Sequence, residues 1–134
     1  MELQIKIIGY LLMVLACVHV IFPKYFGWKE DLAPLQQINR SMMKVHTFFI
    51  ALTVFLMGLL CVTSTQDLLQ TELGRKLCLG LGVFWLIRLF FQFFIYPSIL
   101  WKGKKLETII HIVAIVFWIF LSYSFLWGYF SQRS

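Results

Sequence analysis

The sequence predicts an all-α fold, a four-helix transmembrane up-and-down bundle. Three observations predict it. The 134 residues are 60% hydrophobic and 18% aromatic but only 13% charged, against about 25% charged in a typical soluble domain. The mean hydropathy is +0.83. The apolar residues gather into four runs, each near the ~20 residues that cross ~30 Å of hydrocarbon. This composition excludes a soluble enzyme, a disordered tail and a secreted disulfide framework. The length allows one domain, here a single integral membrane domain over 1–134.

The first run covers residues 5–22 and is expected to close at Pro23. Val14-Leu15-Ala16 before Cys17 faintly echoes a lipoprotein cleavage site. The run continues past Cys17 to Phe22 and its leading segment is barely basic, so it is expected to remain as a span. The longest link follows. Gly27 and Pro23 mark a turn, and Tyr25, Phe26 and Trp28 suit the headgroup zone. Asp31 can cap a helix and Pro34 fits a first turn, so the second helix is expected to begin near Ala33 and to protrude before its apolar run, 45–64. The third run covers 77–96, closed by Pro97, and the fourth covers 106–130. Lipid offers no partner to an open backbone, so each run should be helical. Short links then make the order up and down. Gly80 and Gly82 would permit close helix approach without forming a GxxxG motif.

The net charge is +6, from 12 basic and 6 acidic residues. Eleven of the twelve basic residues lie at or outside the ends of the apolar runs. They set topology and meet lipid headgroups rather than nucleic acid. Links one and three share a side and carry seven: Lys24, Lys29, Arg40, Lys44, Lys102, Lys104 and Lys105. The other side carries four: Lys6, Arg75, Lys76 and Arg133. Links one and three are therefore expected in the cytoplasm, with both termini outside. Cys17, Cys61 and Cys78 show no CxxC spacing and are expected to be buried free thiols.

Polar side chains inside the runs are the sharpest signal. His19 lies four residues before Pro23, roughly 6 Å inside that end. His46 sits at the mouth of the second run. Gln92 and Arg88 lie roughly 7 and 13 Å inside the end marked by Pro97, and His111 roughly 9 Å beyond Lys105. All five fall in the half of the bilayer next to links one and three, and they come from all four spans. A central arginine costs ~2.5–3.5 kcal/mol on the lenient insertion scale. Its side chain leans towards its own helix N-terminus, which here leads deeper into the membrane. Arg88 should therefore face the protein interior and find a partner. Glu107, one turn before His111, is the best protein candidate, and an anionic ligand is the other. Arg88 and Gln92 share a face with Phe84 or Trp85 and Ile95. Glu107, His111, Trp118 and Ser122 form one stripe, and Asn39, His46, Thr53 and Met57 another. The doublets Phe90-Phe91 and Phe93-Phe94 read as lipid-facing or packing residues.

The histidines leave several readings open. Each can bond a neighbour in an ordinary interface. Two could clamp a b-type haem, with Arg88 at a propionate. A metal could take imidazoles from separate helices, although no HxxxH or ExxH spacing supports this and no metal site is assigned. No nucleophile–base pair, phosphate loop or carboxylate pair is visible, so no catalytic residue is assigned.

The stretch Phe22-Pro-Lys-Tyr-Phe-Gly-Trp-Lys-Glu-Asp-Leu-Ala33, with Asn39-Arg40, His46 and Arg88-Leu-Phe-Phe-Gln92, resembles a group of small four-span bacterial membrane proteins of uncharacterised activity. The resemblance covers most of the chain and implies a fold and a bacterial inner membrane, with no activity attached. A looser architectural likeness to the four-helix membrane protoporphyrinogen oxidases would place His19 at that family's early haem-binding histidine; the rest of that pattern has no match here. The expectation is a small polytopic membrane protein, an accessory or ligand-binding component without catalysis, partnered by the bilayer and by a second copy or a membrane complex. Its candidate binding residues are His19, His46, His111, Arg88, Gln92 and Glu107. The alternatives are a haem-binding redox protein and a small anion transporter subunit; the latter would need an oligomer, because four short spans enclose little space.

Overall fold

Among the described residues each apolar run is helical over nearly all its length. The computed structural model describes residues 1–95 and 102–131, and among them the regular elements are all α-helices. They are α1 (Glu2–Tyr25), α2 (Trp28–Asp31), α3 (Gln37–Thr63), α4 (Thr65–Gln70), α5 (Glu72–Phe94) and α6 (Lys105–Ser131). Four of them, α1, α3, α5 and α6, are long and apolar enough to cross a membrane. This is the all-α, four-span class that the sequence predicts. Phe48, Phe93, Ile112 and Val116 are each more than half exposed. So large an apolar surface suits lipid rather than water. Pro97, the expected end of the third span, the link residues 98–101, and Arg133 lie outside the described residues.

Two expected boundaries are corrected. Pro23 does not close the first helix but lies inside α1, which runs on to Tyr25. A proline this near a C-terminus removes one backbone bond and leaves the last turn able to form. Phe26 N–H still reaches the Phe22 carbonyl at 2.9 Å, and Gly27, at φ 66°, makes the left-handed turn that ends the helix. Nor does the second long helix start near Ala33. Asp31 is the last residue of the one-turn helix α2, and α3 begins at Gln37. Pro34 has no N–H to give, and its ring disfavours helical backbone at Ala33. The freed Ala33 carbonyl accepts from Arg40 Nη1 at 3.2 Å. The helix does extend ahead of its apolar run, through residues 37–44.

The chain forms two compact units, residues 5–65 and residues 66–134 together with 1–4. In the first, α1 buries Ile5, Ile8, Gly9, Leu12 and Ala16, a three-and-four spacing that lines one face. The buried face of α3 is Ala51, Val54, Gly58 and Cys61. The two helices run antiparallel and meet at glycines. A Cβ on Gly58 would stand 2.5 Å from the Gly9 carbonyl oxygen, and one on Gly9 would stand 2.7 Å from that of Gly58. The expected stripe Asn39, His46 and Thr53 is instead exposed, with only Met57 half-buried. Thr53 bonds its own helix at the Phe49 carbonyl, whereas small residues let backbones approach.

In the second unit α5 and α6 form an antiparallel hairpin, with α4 folded against its start. Thr71 caps α5, its Oγ1 accepting from Gly74 N–H at 2.9 Å. Gly74 lies so close to Asp67 that a Cβ would overlap the Asp67 carbonyl. Cys78 Sγ donates to the Leu68 carbonyl at 3.5 Å. Gly82 packs on Leu126, as expected of it, while Gly80 has nothing within 4 Å of its would-be Cβ and takes no part in close approach. Arg75 donates to the Tyr129 carbonyl at 3.2 Å and lies 4.4 Å from that ring's centroid. Gln4 donates to Ser124 Oγ within this unit. Cys61 and Cys78 are buried, but Cys17 is exposed, contrary to expectation, because it stands off the buried face of α1.

Candidate functional site

The candidate site lies in the α5–α6 hairpin and is organised by Gln92. The residue sits two turns after Trp85 and one turn after Arg88, so the helical repeat brings all three to one face of α5. Antiparallel pairing sets that face against His111 and Trp118 of α6. Gln92 is only 7% exposed. Its Oε1 accepts from Arg88 Nη1 at 3.2 Å and from Trp118 Nε1 at 3.3 Å. Its Nε2 lies 2.7 Å from His111 Nδ1.

These contacts fix the direction of every bond. Arg88 and indole N–H groups can only donate, so the amide oxygen must face them. The amide nitrogen then donates to His111 Nδ1, and the imidazole proton sits on Nε2. Both lone pairs of the Gln92 oxygen and the acceptor nitrogen of His111 are thus used. The aromatic residues extend the cluster. The Trp118 ring lies 5.0 Å from the Arg88 guanidinium carbon, a cation–π contact. Trp85 stacks on Trp118 with centroids 5.1 Å apart and planes at 9°. Trp85 is the α5 face residue that packs inward, while Phe84 and Ile95 stay exposed. The Trp85 indole N–H is buried without a hydrogen-bond partner among the described residues.

Of the six sequence candidates, the structure brings together Arg88, Gln92 and His111. Glu107 stands half-buried one turn before His111 on α6, and the contacts of Arg88 include Gln92 and Trp118. His19 and His46 belong to the other unit. His19 is half-buried, its Nδ1 lies 2.8 Å from the Leu15 carbonyl and its ring packs on Phe22 at 4.7 Å. A carbonyl only accepts, so Nδ1 carries the proton and Nε2 the lone pair. His46 is exposed on α3. Among the described residues no group of three or more His, Cys, Asp or Glu is placed to hold a metal ion. The sequence left Phe84 or Trp85 open on the Arg88 face, put Trp118 on the His111 stripe, and gave neither indole a role; the structure turns Trp85 inward. Their signal was the spacing of Trp85, Arg88 and Gln92, with an indole opposite on the neighbouring span.

No family model, curated protein or solved structure matches this chain.

Proposed function

We propose that the chain is a non-enzymatic, multi-pass protein of the bacterial inner membrane, a ligand-binding or accessory component whose working part is Arg88 held by Gln92, His111 and Trp118. Links one and three face the cytoplasm in this reading, in keeping with their seven basic residues. The observation that carries it is the use made of Gln92. A buried amide with both ends engaged by three side chains holds the arginine in one place. An ionisable group inside a span is costly and marks a functional site by default. A support built around it, on two rigid helices, suits recognition of an anionic group.

Native mass spectrometry of the chain released from mild detergent tests this. The expected result is a bound adduct on the wild-type protein that is lost in Arg88→Gln, while circular dichroism shows both fully helical. An adduct retained by Arg88→Gln, or no adduct on either, overturns the reading.

A second reading, a b-type haem protein, is favoured by one observation. His19 presents its lone pair on Nε2 because its other nitrogen is tied to the Leu15 carbonyl, an arrangement common among metal-binding imidazoles. It requires a Soret band near one haem per chain that disappears in His19→Ala. A colourless protein purified after expression with ample haem precursor removes it.

A further inference from the structure

The helix α3 has one face packed and the opposite face bare. Ala51, Val54, Gly58 and Cys61 form its buried side. About half a turn around the helix, at ~3.6 residues per turn, stand Ile38, Met42, Val45, Phe49, Leu52, Leu56 and Leu59. Each is exposed, from 39% at Leu52 and Leu59 to 61% at Ile38. Their spacing alternates between four residues and three without a break. That is the repeat of a coiled-coil seam. Lipid accounts for the part of the stripe inside the apolar run but not for its beginning. Ile38 and Met42 precede that run, among Gln37, Asn39, Arg40, Ser41 and Lys44. There they meet headgroups or water, and an apolar stripe that keeps its register across that boundary calls for a protein surface.

Three features name that surface as a second copy of this chain. Copies of a multi-pass protein insert the same way round, so their α3 helices run parallel at equal depth, and a stripe of this period meets its own image in register. The seam and its flanks also carry no Lys, Arg, Asp or Glu. The flanks are Asn39, Ser41, His46, Phe48, Thr53 and Phe55, while Arg40 and Lys44 lie towards the other side of the helix. Two copies therefore bring no like fixed charges together. Finally, the polar flank is self-complementary. In a parallel pair each such residue lies beside the one five positions on in the other copy, which sets Ser41 against His46 twice, once on each side of the two-fold axis. A hydroxyl both donates and accepts, so it suits either imidazole tautomer. Both side chains are exposed, and within one chain neither takes a hydrogen-bond partner among the described residues.

We infer that this face of α3 is a homodimer interface, a parallel seam running from Ile38 to Leu59 and closed at its mouth by Ser41 and His46 of opposite copies. The polar stripe Asn39, His46 and Thr53, which finds no place inside the chain, then borders the contact between chains. The interface lies in the unit of residues 5–65 and does not depend on the role of Arg88.

Cysteine cross-linking in vesicles tests it. Cys17→Ser removes the exposed native thiol, while Cys61 and Cys78 are buried. On that background Ile38→Cys, Met42→Cys and Val45→Cys stand on the seam, and Met43→Cys, Lys44→Cys and Thr47→Cys stand off it. The full chain is reconstituted in phosphatidylcholine vesicles and oxidised with copper phenanthroline. Seam positions should give disulfide dimers at about five-fold the yield of the others, because a disulfide needs Cβ atoms about 4 Å apart. About ten-fold more lipid should leave the seam yield nearly unchanged, whereas chance encounters fall in proportion. Energy transfer between donor- and acceptor-labelled Lys44→Cys chains then gives the association constant. Ser41→Ala should weaken it about seven-fold, the worth of two interhelical side-chain bonds. Ile38→Gln with Met42→Gln, which leaves the α1 contact untouched, should weaken it further. Equal yields at all six positions, or the highest yields off the seam, overturn the interface. No dimer at any position, or a yield that falls in step with added lipid, leaves this face to lipid or to the rest of the chain and overturns it too. So does an association constant unchanged by Ile38→Gln with Met42→Gln.

Discussion

The two units hold their helices together by opposite means. Between α1 and α3 the contact is close and made by small residues, with Gly9 and Gly58 letting the backbones approach. Between α5 and α6 the contact is large and polar at one end, where Gln92 joins Arg88, His111 and Trp118. Lipid tails are as apolar as leucine, so burying hydrocarbon gives helices in a membrane little reason to associate. Close packing of small residues is one remedy and hydrogen bonding between side chains is the other. The first makes a rigid joint with no chemistry. The second holds a charge in a defined position.

The comparison is broken most severely at the glycine contact. Gly58→Leu puts a side chain where the Gly9 carbonyl lies, and backbone cannot move aside as a flexible side chain can. A loss of about 3 kcal/mol is expected, the upper end of overpacking. Reversible unfolding in mixed micelles would measure it, and an unchanged midpoint would mean that the helices do not meet there.

Gln92→Leu strikes the polar joint and should cost about 2 kcal/mol. Interhelical bonds in membranes average ~0.6 kcal/mol each, and the substitution also removes the amide oxygen to which the half-buried Arg88 guanidinium donates. The double variant Arg88→Leu, Gln92→Leu should recover much of the loss, since it removes the charge as well as its support. A double variant no more stable than Gln92→Leu would show that Arg88 does not depend on Gln92.

The smallest effect sharpens the contrast. Gly80→Ala adds a methyl where nothing lies within 4 Å, so helix propensity alone should act. A gain of about 0.5–1 kcal/mol is expected in the same unfolding experiment. A loss like that at Gly58 would place Gly80 in an interface.

Much of the site was legible. Arg88, Gln92 and His111 were visible as polar residues at similar depths, and the structure joins them. His46 shared that depth but lies exposed, and His19 belongs to the other unit. Depth along a helix follows from counting residues, because the rise is constant. Direction around the axis is set by which neighbour the helix packs against, and four separate runs leave that open. Glu107 illustrates the limit. Charge complementarity made it the natural partner of Arg88, but the bonds described around the arginine come from an amide oxygen and an indole face, which carry no formal charge to betray them.

The sequence by itself determined that this chain is all-α with four lipid-length helices, since backbone polar groups in hydrocarbon must pair within their own segment. It also marked which polar residues fall within the apolar runs. Only the tertiary structure decided that Pro23 lies within a helix, that residues 65–70 form α4, that glycines 9 and 58 meet, and that Gln92 stands between Arg88 and His111. Each of these depends on contacts between residues far apart in the chain or on how a turn absorbs one missing hydrogen bond. Hydropathy measures the environment of a segment and carries no record of its partner.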